Sequence, residues 1–599
     1  MSNEIVLKSK IGQLSDINKI IEPGSFVAIG GGWSCNKPMA IIREIIRQQI
    51  GGLKVTSITG GWEMEWLLGA GLVDHLVMSF LSLEFFGLPA NFRRAAEKQT
   101  IKITEIEGCS LIKALEAAKF GLPFAAFKGP KGSDIIAEAP ELYKTVNCPF
   151  TGEELTAIEA ISPDVTIIHA QKADEAGNVQ MIGTSASDQD MAMAAKKVIV
   201  TVEEIVSADE IRENKSATTL FRNDVDLVIH CPMGASPCSS VPYYSAHLLQ
   251  MQKDVVGLNP KTASEYIGTV IGASEAEYWS NVGGEEAKAK LRALPATTKS
   301  IPVPAALEEA PAEDFSIGDQ MVSALASTID DEDTIILGSF TPLAYAAYNL
   351  AKLTGAPNAF VVGYSGVDAR PFEMGFHTSE AACTKESAGL WSMTECIEAL
   401  HFRGEGDVEA VSSAQMDANG DINISWLPMP IKDAEGKPTG EWNTRALRLP
   451  GGAGAPVVFG LHRKSVAYFP NHSKMVFVPK VNYITGTRVY LTDEERIAAG
   501  LKPGPIIVVT NLCVMESNER GVWNVRSLHK GATAQDVIDN TGFEVNIPED
   551  CPQTRAPTQQ EVDLIKKIDP TGIHLLDFIS GKERASKLPA ILQAEWDAV

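Results

Sequence analysis

The sequence predicts an α/β protein of two similar domains, each with a parallel-rich sheet, joined by a Pro/Ala-rich linker. Three observations predict it. At 599 residues the chain is too long for one hydrophobic core. A strand–helix–strand pattern near residues 25–61 is written again at 334–363. Between the copies, residues 294–315, LPATTKSIPVPAALEEAPAEDF, carry Pro, Ala and acid without a helical stripe. The domains are therefore expected at 1–293 and 316–599.

Ser25 to Ile29 reads as a short strand ending in Gly30-Gly31-Gly32. A helix follows from Pro38, where a missing N–H does no harm, through MAIIREIIRQQI to Gly51-Gly52. The strand LKVTSIT ends in Gly60-Gly61, and strand, helix and strand make a right-handed βαβ unit. In the second copy, the strand Thr334 to Leu337 breaks at Gly338, and Thr341-Pro342 open the helix LAYAAYNLAKL. Gly355-Ala356-Pro357 end that helix, and the apolar strand Ala359 to Val362 breaks into Gly363-Tyr364-Ser365-Gly366. A second echo sets Ala170-Gln171, Asp174 and Gly177 against Ala414-Gln415, Asp417 and Gly420. Asn419-Gly420 and residues 434–440 read as turns, and the late helix QQEVDLIKKID is expected to pack on the second domain.

A formal charge of −24 argues against nucleic acid or an anionic membrane as partner. Nine cysteines form no CxxC pair, which suits a reducing cytosol. MSNEIVLKSK lacks the apolar core of a signal peptide, and no run of about 18 apolar residues occurs, so a cytoplasmic protein is expected. The histidines show no ligand spacing, so no metal is expected.

Strand tips are where open α/β sheets bind ligands. Gly30-Gly31-Gly32 could turn backbone N–H groups toward an anion, or be a plain tight turn. Gly451-Gly452-Ala453-Gly454 could approach an oxyanion or thioester carbonyl, or be a surface loop. Glu105 and Glu107 stand between the strand IKITEIEG and the helix LIKALEAAKF, where a carboxylate can cap the helix or serve as a base. Glu63 and Glu65 read as a surface helix start. GxGxxG, GxxxxGK[ST] and GxSxG are all absent.

GGGWSCNKPMAIIREIIRQ, PDVTIIHAQKADEAGNVQ, SFTPLAYAAYNLAKLTGAPN, AQMDANGDIN and the GGAG loop together resemble a fused class I CoA-transferase. The first half is similar to the alpha subunit of the glutaconate CoA-transferase type and the second half to its beta subunit. The resemblance implies coenzyme A as part of an acyl-CoA substrate, no bound cofactor, and a homodimer. Its transferases carry a nucleophilic Glu in an ESG-like turn, where this sequence has Tyr364-Ser365-Gly366. A phenol cannot supply the anhydride and thioester chemistry of a carboxylate. Ser412-Ser413 replace a usual Gly-Gly, and the GAHP-like loop reads Gly234-Ala235-Ser236-Pro237.

One branch that has lost the Glu opens a ring of a cyclic diketone CoA thioester in steroid breakdown. The sequence resembles it in Gly32 to Ala40, which includes Trp33 and Lys37, and in Ser82-Leu83-Glu84. That resemblance implies Glu107 as the base, with Glu105 the fallback if the register slips. Tyr364 would donate to the developing charge or simply pack. Gly30, Gly31, Gly32, Trp33, Lys37, Ser365, Gly366, Gly451, Gly452, Ala453 and Gly454 are the expected substrate-binding positions. The first expectation is an acyl-CoA hydrolase that cleaves a C–C bond beside a carbonyl. The alternatives are a transferase using another carboxylate, such as Glu373, and a silent acyl-CoA-binding protein.

Overall fold

The computed structural model describes residues 7–599 apart from 339, 340, 434 and 436. Part of the expected turn at 434–440, and Ser339-Phe340 ahead of the second-half helix, thus lie outside the described residues.

In the first half, β1 (Phe26–Ile29), α1 (Met39–Arg47) and β2 (Leu53–Ser57) form the expected unit, with β1 and β2 parallel. Ile41, Ile42, Ile45 and Ile46 of α1 are 0–4% exposed, and burying each contributes about 1.5–3 kcal/mol. Gly52, at φ +70°, supplies the left-handed turn into β2. The sheet continues through β3 (Val73–Met78) and β4 (Lys102–Glu105) on one side. On the other lie β5 (Val165–Ala173), β6 (Lys197–Ile205) and β7 (Leu227–His230). Seven strands of this ten-stranded sheet run in the order β7-β6-β5-β1-β2-β3-β4, all parallel to one another.

The second half repeats this. β8 (Thr334–Leu337) and β9 (Phe360–Gly363) are parallel, linked by α2 (Pro342–Leu353). β10 (Val408–Val411), β11 (Lys464–Phe469) and β12 (Ile506–Thr510) extend the sheet in the order β12-β11-β10-β8-β9. That is the first-half order β7-β6-β5-β1-β2 over again, as a duplicated unit requires. The paired Asp turns also recur. Asp174 accepts from the amides of Gly177 and Asn178, and Asp417 from those of Asn419 and Asp421.

Residues 298–312 run extended along the second half, through Ile301 N–H to Pro371 O and Ala312 N–H to Pro557 O. The helix Gln559–Ile568 packs on α2, as expected. The last helix, Gly581–Asp597, instead returns to the first half, where Trp596 stacks on His247 at 5.2 Å. The two sheets meet at the carboxyl ends of their strands. Ala453 N–H donates to Ser79 O beyond β3, Leu81 N–H to Pro450 O, and Gly108 N–H to Ala453 O. Glu105 and Arg448 form a buried bidentate pair across the same seam (2.7 and 3.0 Å).

Candidate active site

Between the two sets of strand tips lies a cleft of about 210 Å³. Trp33, Thr59 and Phe80 enter from the tips of β1, β2 and β3. Gly338, Tyr364 and Glu409 enter from β8, β9 and β10, and Gly452 to Ala455 close one side. Trp33, Tyr364 and Ala453 all hold left-handed backbone, with φ of +50°, +49° and +46°. Such conformations cost of order 1–3 kcal/mol in non-glycine residues and cluster at functional sites.

Tyr364 stands at the tip of β9, its ring edge-on to Trp33 at 5.9 Å and to Tyr345 at 6.2 Å. Burial, and then the neighbouring Tyr345, Glu84, Cys35 and Glu380, hold its phenol well above its ordinary pKa. It is therefore an O–H donor and not a phenolate. Behind it sit two carboxylic acids from different halves. Glu84, pushed up to about 7 by burial, accepts from Ser34 Oγ, and Glu380, also raised by burial, accepts from Ser239 Oγ.

The expected residues divide. Trp33, Tyr364, Gly452, Ala453 and Gly454 come together in the cleft. Gly451 lies just outside, its amide donated to Ile424 O. The amides of Gly30, Gly31 and Gly32 donate to Ile167 O, Asp188 Oδ1 and Cys35 O, which leaves none for an anion. Lys37 is wholly buried, its ammonium on Gly31 O, Ser57 Oγ, Thr59 O and Glu63. Glu63 is accordingly a buried ion-pair partner and not part of a surface helix start. Buried Glu65 caps the helix Ala90–Lys98 by accepting from the Asn91 and Phe92 amides. Ser365 Oγ accepts from Ser185 N–H, and Gly366 pairs with Gly363 in the sheet. Glu373 binds Lys299 at the surface.

Glu107 is the N-cap of the helix Gly108–Lys119, fully buried, accepting from Cys109 N–H (3.0 Å), Ser110 N–H (2.7 Å) and Ser110 Oγ (2.8 Å). Burial raises its pKa, and these donors pull it back. It lies one residue behind the Gly108–Ala453 hydrogen bond that joins this helix to the cleft wall. Glu105, committed to Arg448 and Ser425, is tied into the interface.

Glu409 is the carboxylate that sequence reading missed. Its side chain is 15% exposed and lines the cleft, and its Oε2 has no hydrogen-bond partner among the described residues. Burial alone pushes it up to about 8. Burial, and then the charges of Glu107 and Glu409, push the Cys109 thiol up. His401 lies 4.0 Å from Glu409, and its Nδ1 is 2.6 Å from His462 Nε2. These three side chains offer ligand atoms within 4.8 Å of one another, a grouping that no contiguous motif announces. The two imidazole nitrogens are at hydrogen-bonding distance, closer than two ligands on one tetrahedral ion at about 2.0–2.1 Å would sit. A valine-rich strand bearing one acid, VEAV, carries no local signal that it ends in a cleft.

Comparison with known proteins agrees with this architecture. The coenzyme A transferase sequence profile matches residues 14–225. One of the two subunits of the 3-oxoadipate CoA-transferase of Pseudomonas knackmussii is 36% identical over 231 residues, 38% of this chain and 80% of its own length. The chain belongs to the coenzyme A transferase family. The other subunit of that enzyme is 29% identical over 43% of this chain and 94% of its own length. A cholesterol ring-cleaving hydrolase subunit of Rhodococcus jostii is 28% identical, over 45% of this chain and 94% of its own length. An uncharacterised Archaeoglobus fulgidus protein is 34% identical over 46% of this chain, which spans 63% of that relative. The solved apoenzyme of an acyl-CoA transferase of Escherichia coli O157:H7 aligns over 92% of this chain and 96% of its own, with a TM-score of 0.63. At 14% identity it speaks for the two-domain fold alone.

Proposed function

We propose that this family member hydrolyses a C–C bond beside a carbonyl in a cyclic keto acyl-CoA, opening the ring without an enzyme–CoA thioester. The observation that carries the reading is Tyr364, a neutral phenol facing the cleft from a strained strand-tip turn. A phenol there can donate to an oxyanion but cannot form an acyl anhydride. Glu107 is the base that takes a proton from water. The amides of Gly452 and Gly454, which donate to nothing else among the described residues, join Tyr364 in holding the oxyanion. The Rhodococcus hydrolase subunit supports this reading. On it, one chain supplies both kinds of subunit, no cofactor is bound, and two chains pair in the cytoplasm.

The observation favouring a second reading, CoA transfer between carboxylic acids, is that Glu409 lines the same cleft and could act as nucleophile. The test is Glu107→Gln with a panel of cyclic keto acyl-CoAs. The hydrolytic reading expects turnover to fall about 10²–10⁴-fold with acyl-CoA binding retained. Full activity in that variant would overturn the role of Glu107.

A further inference from the structure

The proposed reaction has a second proton to place. Water adds to the ring carbonyl, the C–C bond breaks, and its electron pair moves onto the carbon beside the thioester carbonyl. That carbon needs a proton before product can leave. Glu107 has just taken one from water, and its oxygens are held by two amides and a hydroxyl aligned with the start of its helix. We infer that Glu409 is the acid that protonates the released carbon, and that the His401–His462 pair positions it by presenting no positive charge.

Geometry sets the two carboxyls apart. Glu107 accepts three hydrogen bonds, an environment that favours a carboxylate. Among the described residues Glu409 accepts none at Oε2 and faces no cation in contact, and it lines the cleft. Gly338 makes room for it, since a Cβ there would meet Glu409 Oε1 at 2.8 Å. Burial keeps the thiols of Cys109 and Cys396 and the phenol of Tyr348, the described groups that sense the charge of Glu409, in their neutral forms, and His401 stands 4.0 Å away.

His401 would be the exception if it were protonated, and its surroundings prevent that. Its Nδ1 shares a hydrogen bond with His462 Nε2, and both rings are buried. Arg488 and Arg496 converge on the carbonyl of His462, and Lys502 lies nearby, so a further positive charge is disfavoured there. Burial holds His401 down to about 4 and Glu409 up to about 8, consistent with a neutral pair at physiological pH. Donors that favour a carboxylate surround one acid and are missing, among the described residues, at Oε2 of its neighbour, which is how an enzyme divides base and acid between two carboxyls. Atoms balance: water's oxygen and one hydrogen stay on the new carboxyl, Glu107 keeps the other hydrogen, and Glu409 gives its own to carbon. Proton exchange with cleft water resets both.

This inference rests on the hydrolytic reading, so the experiment has two independent arms. The first needs no substrate. Infrared difference spectra of the whole protein between pH 6 and pH 9.5 should show a protonated carboxyl C=O band titrating near 8 in wild type and in E107Q but missing from E409Q. Buried Glu84, pushed up to about 7, contributes its own lower band, so the decisive signal is the one near 8: if that band survives in E409Q, or is missing from wild type, the inference is overturned whatever the enzyme hydrolyses. The second arm uses 2-oxocyclohexane-1-carboxyl-CoA as probe, in H₂O and D₂O. E409Q should lose about 10²–10⁴-fold in kcat with KM retained, E409D should recover part of it, and the alkaline limb of the pH profile near 8 should vanish. H401Q should retain the limb; H401K, which puts a cation beside Glu409, should move it to lower pH. Wild-type rates in E409Q, or an unmoved limb in a folded H401K, overturn the inference. If wild type leaves every cyclic keto acyl-CoA untouched, the hydrolytic reading fails, and the infrared arm still decides whether Glu409 holds its proton. If E409Q does not fold, E409D carries both arms, with its band and limb expected to shift from the wild-type position.

Discussion

Replacing Lys37 by methionine separates a packing role from a substrate-binding one. The ammonium lies in a wholly buried site, 2.9 Å from Gly31 O, 2.7 Å from Ser57 Oγ, 2.8 Å from Thr59 O and 3.0 Å from Glu63 Oε1. Its three protons are spent on these acceptors, so none remains for a ligand. Removing it strands the carboxylate of Glu63, also fully buried and otherwise held by Gly61 N–H at 3.2 Å. Breaking one side of a buried pair costs about 3–5 kcal/mol, because the remaining charge has lost its partner. At about 2 °C per kcal/mol, the lower end of the range for somewhat smaller domains, the first melting transition should fall by about 6–10 °C. Replacing both partners, in K37M/E63L, should restore much of that loss, since an apolar pair of similar volume leaves no charge behind. The assay is calorimetry of each variant together with its KM for an acyl-CoA. A K37M protein that melts like wild type but shows a raised KM would refute the reasoning and return Lys37 to the substrate.

Tyr364→Phe removes one donor and no packing volume, and should lower kcat about 10²–10³-fold while leaving KM and melting temperature nearly unchanged; an unchanged kcat would make Tyr364 a packing residue. Gly338→Ala pushes a methyl against Glu409 Oε1 and should cost activity at constant secondary structure, read by rate and circular dichroism. Glu409 also ties stability to pH. Its folded pKa of about 8 lies above the ordinary 4.5, so the stability of the neutral form is complete below about pH 4.5 and lost as pH rises through 8. With 1.36 kcal/mol per unit, the loss is at most about 5 kcal/mol. E409Q should therefore melt higher than wild type at pH 9 and not at pH 5, and equal melting at pH 9 would contradict the assignment.

Much of the scaffold was legible because it is local. The glycines that end β1 and β9, the Thr-Pro start of α2 and the paired Asp turns each act within a few residues of themselves. The strand order could then be checked as a duplication. The site was legible only where a local signal pointed at a strand tip, as with Trp33, Tyr364 and the loop at Gly452 to Gly454. What escaped was decided by partners far along the chain. Gly31 looks like an anion cradle until Asp188, 157 residues away, takes its amide. Lys37 looks available until Glu63 arrives from the next helix. His462 reaches His401, 61 residues before it, through sheet order and packing, which no short window of sequence encodes.

The central claim is tested most directly by the intact mass of the protein, and of its substrates, after incubation with a panel of acyl-CoA thioesters that includes cyclic keto acyl-CoAs. The account predicts an unmodified protein and one cyclic substrate that gains the mass of a water while keeping its coenzyme A. A coenzyme A-sized addition to the protein, lost on borohydride reduction and absent from E409Q, would contradict it and make Glu409 the nucleophile of a transferase.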